Sequence, residues 1–251
     1  MKRQLEGGCE PQNTKKVKQH GLGPYVDLIK EPAMIMITGK CGSGKTTLAV
    51  DIIKTRFSKH HLFFALVPSF YVQKTFEPIR HLFKPKNVFT DPDEKCLEYV
   101  IKTIKAISTS CAKKGIVPPK TLILIDDLAG KNIIHGNRRG MFSNFVTQFR
   151  HWDTSFISIT QQPKSLDPNY RDNVTDVIAF PSEREEEVNW LRQSYNSSVV
   201  SKKRSVENII ATAWRGGRNG DEEIGQHFLF IHSQSRELSR FFVDFDSELA
   251  K

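Results

Sequence analysis

A chain of 251 residues with 38% hydrophobic residues and a formal net charge of +9 is long enough for one good-sized domain with a buried core, and its positive field favours polyanions, nucleic acid first and acidic membrane surfaces second. The four cysteines, Cys9, Cys41, Cys96 and Cys111, lack any metal-ligand spacing, which excludes a zinc module and argues for a reducing compartment without structural disulfides. No apolar run is long enough to cross a bilayer, and none follows the opening Met-Lys-Arg as a signal peptide would, so a soluble intracellular protein is expected.

Residues 1–30 are polar, rich in Gly, Gln, Asn and Lys, and without periodicity. They read as a disordered basic arm ahead of a single domain at 31–251. Lys15, Lys16 and Lys18 fit an import signal, a DNA contact or a plain solvated tail. From residue 33 short apolar runs alternate with longer helical patterns. Strands are predicted at 33–38, 61–67, 121–125, 155–160 and 176–180, and helices at 45–58, 95–113 and 141–152. The strands at 33–38 and 121–125 are almost continuously apolar, as in a parallel sheet covered on both faces. Two final alternating runs, 226–232 and 238–245, read as a hairpin closing one sheet edge. The fold class expected from this pattern is α/β: a three-layer sandwich with a mainly parallel central sheet and a C-terminal β-hairpin.

Residues 39–46 read GKCGSGKT, which meets GxxxxGK[ST] at every fixed position. The strand MIMIT runs into it and a helical pattern leaves it, the context that makes the match a site. Glycines let the backbone curl so that its N–H groups face phosphate oxygens, and the helix N-terminus adds positive potential. The nucleotide-binding set is Gly39, Lys40, Cys41, Gly42, Ser43, Gly44, Lys45, Thr46 and Thr47. Lys45 is expected on the β and γ phosphates of ATP, and the Thr46 hydroxyl on Mg²⁺. Cys41 brings a thiol close to that phosphate.

TLILIDD places Asp126 and Asp127 at the carboxyl end of a buried strand, where an open α/β sheet binds its ligands. Asp126 is the second expected magnesium ligand, acting through water, and Asp127 is the candidate for orienting the attacking water. The strand FISIT ends in Gln161 and Gln162, whose amides are placed to reach the γ-phosphate or that water. A strand that merely ends in polar residues before Pro163 is the bland alternative.

Taken together, GKCGSGKT, LILIDD, a helix ending in FRHW, the strand FISITQQP and the further strand DVIAFP resemble the FtsK/HerA superfamily of DNA-pumping ATPases. The likeness spans about residues 33–195 and is greatest to the genome-packaging ATPases of poxviruses, other large DNA viruses and virophages. It implies the three-layer P-loop NTPase fold of the ASCE/RecA-like kind, and a motor that hydrolyses ATP at the subunit interfaces of a homo-oligomeric ring, hexamer or pentamer, and drives double-stranded DNA into a capsid. Gln161 then matches the sensor glutamine. Asp127 stands where many relatives have glutamate, one methylene longer. An arginine acting on a neighbour's site is implied too, with Arg150 first and Arg138 and Arg139 behind it. A capsid component is an implied partner, and no membrane is. The virus factory in the cytoplasm, the nucleus and the virion are all compatible settings.

Lys131, Arg138 and Arg139 follow the acidic strand in a loop that could grip DNA phosphates without reading bases. Lys202, Lys203 and Arg204 form a second basic cluster, and residues 214–220 a third; solvated turns explain each equally simply. The aromatic residues at 228–245 are spaced like strand interiors. A small-molecule P-loop kinase of the nucleoside or nucleotide type is the alternative, although no arginine-rich lid is evident. A nucleotide-operated switch without turnover is a third possibility, against which the Asp126–Asp127 pair argues.

Overall fold

In the computed structural model, which describes residues 25–126, 140–182, 184–195, 210, 214, 226–232 and 237–243, eight strands form one sheet. They are β1 (Met34–Thr38), β2 (Leu62–Leu66), β3 (Val88–Phe89), β4 (Thr121–Asp126), β5 (Thr154–Thr160), β6 (Asp176–Ala179), β7 (Gln226–His232) and β8 (Glu237–Val243). Across the sheet they run β3-β2-β4-β5-β1-β6-β7-β8. Pairs from β3 to β6 are parallel; β7 and β8 return antiparallel. The α/β class and the mainly parallel sheet are as expected, and so is the closing hairpin.

The helices are α1 (Tyr25–Leu28), α2 (Lys45–Ile52), α3 (Glu94–Lys113), α4 (Met141–Val146), α5 (Pro168–Asn173) and α6 (Glu185–Tyr195). Alternation along the strands divides the core into two layers. Met34, Met36, Ile123, Ile125 and Phe156 face α3, α4, α5 and α6. Ile35, Ile37, Leu122, Leu124 and Ile157 face α1 and α2. Such two-sided burial is why Met34–Ile37 of β1 and Leu122–Ile125 of β4 are apolar without a break. In α3 the buried stripe Leu97, Val100, Ile101 and Ile104 follows the helical period, and Asp93 caps its start by accepting from the Cys96 N–H at 2.8 Å.

Four local features depart from the sequence reading. Residues 25–30, counted in the arm, belong to the domain: Val26 and Ile29 are buried in the α2 layer. The two-residue β3 carries too little pattern to be read. Residues 74–82 form a 3-10 helix with Pro78 inside. The helix expected at 141–152 is two pieces, α4 and a 3-10 turn at Phe149–Trp152. Phe149 must stay in the core while Thr154 starts β5 beside Thr121, so the chain has to reverse tightly. Asp153 makes that reversal with φ 44°. No helix among the described residues is long and apolar enough to cross a membrane.

Candidate active site

β1 ends at Thr38, and the chain curls through residues 39–44 into α2. Gly39 has φ +145°, and a Cβ there would lie 2.7 Å from the Phe180 Cβ, so a larger residue would have to push the loop off β6. Gly44, the N-cap of α2, has φ 86°, a left-handed conformation that other residues pay to adopt. The loop and the helix N-terminus are therefore built as the motif requires. Lys45 is buried and lies back across the curl, its Nζ donating to the Lys40 carbonyl at 2.6 Å. Ser43 Oγ is 3.5 Å from the same nitrogen. Lys40, Cys41 and Gly42 are exposed, while Thr46 and Thr47 are half-buried on the first turn of α2.

Asp126 is the last residue of β4 and is buried. Its register partner in β5 is Ile159, and Thr160 of β5 pairs with Thr38 of β1. With β5 lying between them, the ends of β1 and β4 are two strand spacings apart, roughly 10 Å. The gap suits a nucleotide's terminal phosphates with a cation beside them. A threonine hydroxyl and one carboxylate are hard oxygen donors, the sparse protein set typical of Mg²⁺ held mainly by phosphates and water. Among the described residues no cluster of three or more His, Cys, Asp or Glu side chains is arranged for a metal.

Gln161 follows β5 directly, at the same edge and between the two strands. The turn after it is well fixed: the Gln162 N–H donates to Thr160 Oγ1 at 3.0 Å, and Ser165 Oγ donates to the Gln162 carbonyl at 2.7 Å. Gln161 is half-buried, whereas Gln162 is exposed. Beside it opens a cleft of about 240 Å³, lined also by Arg184, Glu187 and Trp190 of the α6 region. Glu187 was not singled out by the sequence. The signal lay in helical spacing, since Glu187, Trp190 and Leu191 are all buried and share one face.

Other candidates lie elsewhere. Arg150 precedes β5, so the seven residues of that strand hold it roughly 20 Å from the phosphate loop edge. Its guanidinium lies 5.0 Å from the Phe149 ring centroid. It cannot serve the loop of its own chain. Asp127, Lys131, Arg138, Arg139, Lys202, Lys203 and Arg204 lie outside the described residues, as does 215–220. Trp214 is packed against the core, its Nε1–H donating to the Ala179 carbonyl at 3.0 Å. Phe228 and Phe230 are fully buried, as strand-interior spacing predicted.

The amino edge of the sheet is a different environment. Glu31 is paired with Arg56 at 3.2 Å and with Lys120 at 2.9 Å. His60 is 3.9 Å away, and burial pushes its imidazole down to about 4, the nearby Glu31 only partly offsetting this. Asp176 meets His232 Nδ1 at 2.6 Å and accepts from Thr175 Oγ1, also at 2.6 Å. Burial raises the Asp176 carboxyl above the usual range, and these two bonds moderate the rise.

The family described as Poxvirus A32 protein matches residues 24–219, most of the chain. No curated protein sequence matches. Among solved structures, the DNA-packaging ATPase B204 from Sulfolobus turreted icosahedral virus is 13% identical with TM-score 0.55, over 87% of this chain and 100% of that one. The genome-packaging NTPase B204 of Sulfolobus turreted icosahedral virus 2, in complex with ATP-gammaS, is 15% identical with TM-score 0.53, covering 84% and 98%. The pCW3 conjugation coupling protein TcpA, with ATPgS, is 14% identical with TM-score 0.54, covering 87% of this chain and 62% of that one. At these identities the likeness establishes the P-loop NTPase fold.

Proposed function

The chain belongs to the Poxvirus A32 protein family, and from that premise we propose that it is an ATPase that packages double-stranded viral DNA, translocating it into a capsid. The observation that carries the reading is the strand order: β5, with Gln161 at its tip, lies between the strand that leads to Lys45 and the strand that ends in Asp126. Hydrolysis needs a phosphate grip, a cation ligand and a water-positioning group around one point, and the adjacency of the three strands supports giving these roles to Lys45, Asp126 and Gln161. The fold shared with packaging NTPases that bind ATP-gammaS supports the same nucleotide.

The reaction is in-line attack of water on the γ-phosphate. The loop N–H groups and the Lys45 ammonium stabilise the charge that develops on the phosphate oxygens. Lys45 leaves the Lys40 carbonyl for the phosphates when nucleotide enters, exchanging a neutral acceptor for an anionic one. Thr46 and Asp126 would hold Mg²⁺, which would supply neutralisation of the phosphate charge. Gln161, with Asp127, orients the water. The remaining charge falls to an arginine from a neighbouring copy in a homo-oligomeric ring. Arg150 is the first candidate because, on the far edge of its own sheet, only a neighbour's site is open to it. The +9 charge supports DNA as the polyanion moved, gripped by its phosphates without base readout.

The test is ATP turnover by the purified full chain with and without long double-stranded DNA, beside Lys45→Ala. DNA-stimulated turnover that disappears in the variant is expected, and so is turnover that rises with protein concentration as rings form. Turnover indifferent to DNA, or appearing only with a nucleoside acceptor, would replace the motor by the kinase reading.

A further inference from the structure

Three glutamates in a row open α6, yet only one turns inward. Glu185 and Glu186 are exposed, whereas Glu187 is 4% exposed. A carboxylate taken out of water is costly unless several donors replace its hydration. Among the described residues, the side-chain partner of Glu187 is the Thr38 hydroxyl, which donates to Oε1. Thr38 is the last residue of β1 and is bonded directly to Gly39, so this contact ties α6 to the root of the phosphate loop across 149 residues of sequence. The same carboxylate shares the cleft of about 240 Å³ with Gln161. Buried polar groups with so few partners call for a reason beyond packing.

We propose that Glu187 is a positioning residue for hydrolysis. Oε1 holds the strand end from which the loop springs. With nucleotide bound, Oε2 accepts a hydrogen bond from the side-chain amide N–H of Gln161 across the cleft they share, which turns the amide oxygen toward the attacking water. A carboxylate suits this task because it only accepts, whereas an amide could present either end and leave Gln161 free to flip. The proposal rests on the ATPase reading above.

The experiment uses the full chain with Mg-ATP and compares wild type, Glu187→Gln, Gln161→Ala and the double variant. Melting temperature and affinity for a fluorescent ATP analogue are measured alongside turnover. Glu187→Gln keeps the shape and an acceptor for Thr38, and is expected to lower kcat about 10- to 100-fold, the usual scale for a group that orients a catalytic one. KM and analogue affinity should stay near wild type, because the phosphate grip is untouched. In the Gln161→Ala background Glu187→Gln should bring no further loss, since Glu187 acts through Gln161. Turnover equal to wild type, losses that multiply in the double variant, or a Glu187→Gln chain that no longer folds would each overturn the role. A wild type no faster than Lys45→Ala would instead sink the ATPase reading itself.

Discussion

The two edges of one sheet use the same kinds of residue to opposite ends. At the amino edge, charged side chains satisfy each other: Glu31 is shared by Arg56 and Lys120, and Asp176 is held by Thr175 and His232. At the carboxyl edge, Lys45 donates to a backbone carbonyl, Glu187 accepts from one hydroxyl, and the loop curls through Gly39 with φ +145°. The pairs at the first edge join segments far apart in sequence and so tie the fold together. The second edge carries the glycine-shaped loop that leads into α2 and the carboxylate that ends β4. The proposed chemistry is thus separated from these pairs by the length of a strand, and substitutions on the two edges should fail in different ways.

The largest effect is expected from Asp126→Asn. It should cut turnover by roughly 100- to 1,000-fold, the scale of losing one preorganised charge-stabilising group, while circular dichroism and melting temperature stay close to wild type. A melting temperature that collapsed with activity would erase the distinction between the edges. Asp176→Ala should do the reverse. It strands His232, which is 3% exposed, and should cost about 3–5 kcal/mol in denaturant unfolding, as for breaking a buried pair from one side. Turnover per folded molecule should be unchanged, and a specific loss of kcat would show that the far edge also serves catalysis.

The smallest effect concerns His60. Its folded value of about 4 lies below the ordinary 6.5, so between those values the unfolded chain takes a proton that the folded chain refuses. Stability is therefore lost as pH falls from 6.5 toward 4, with no contribution from this residue above that window. The melting temperature of His60→Asn, followed from pH 7 to pH 5, should fall less steeply than that of wild type. The raised carboxyls of Asp153 and Asp176 slope the other way in both chains and cancel in the difference. Identical slopes would mean that His60 is not held neutral by its burial.

What could be read without the fold followed locality. The loop at 39–46 was legible because its chemistry lies in eight consecutive residues between a strand and a helix, and the backbone alone sets its shape. Asp126 and Gln161 were legible because a polar residue ending a fully buried strand has one edge to occupy. Glu187 was hidden in a run of like charge, where its neighbours are solvated and only helical spacing to Trp190 and Leu191 hinted at burial. The break after α4 was hidden because Phe142, Phe145, Val146 and Phe149 keep helical spacing across it. The demand for a turn came from β5 needing to start beside β4.

The sequence by itself determined the fold class, the phosphate loop and the strand ends that carry Asp126 and Gln161, because each depends on contacts within a few residues or on burial common to a whole strand. Only the tertiary structure decided which strands are neighbours, that β5 lies between β1 and β4, that Arg150 is a strand's length from its own loop, and that Glu187 reaches Thr38. Those facts depend on which distant segments share a core. The free energy that selects among such arrangements is spread over both packed layers, and no single stretch of the chain contains it.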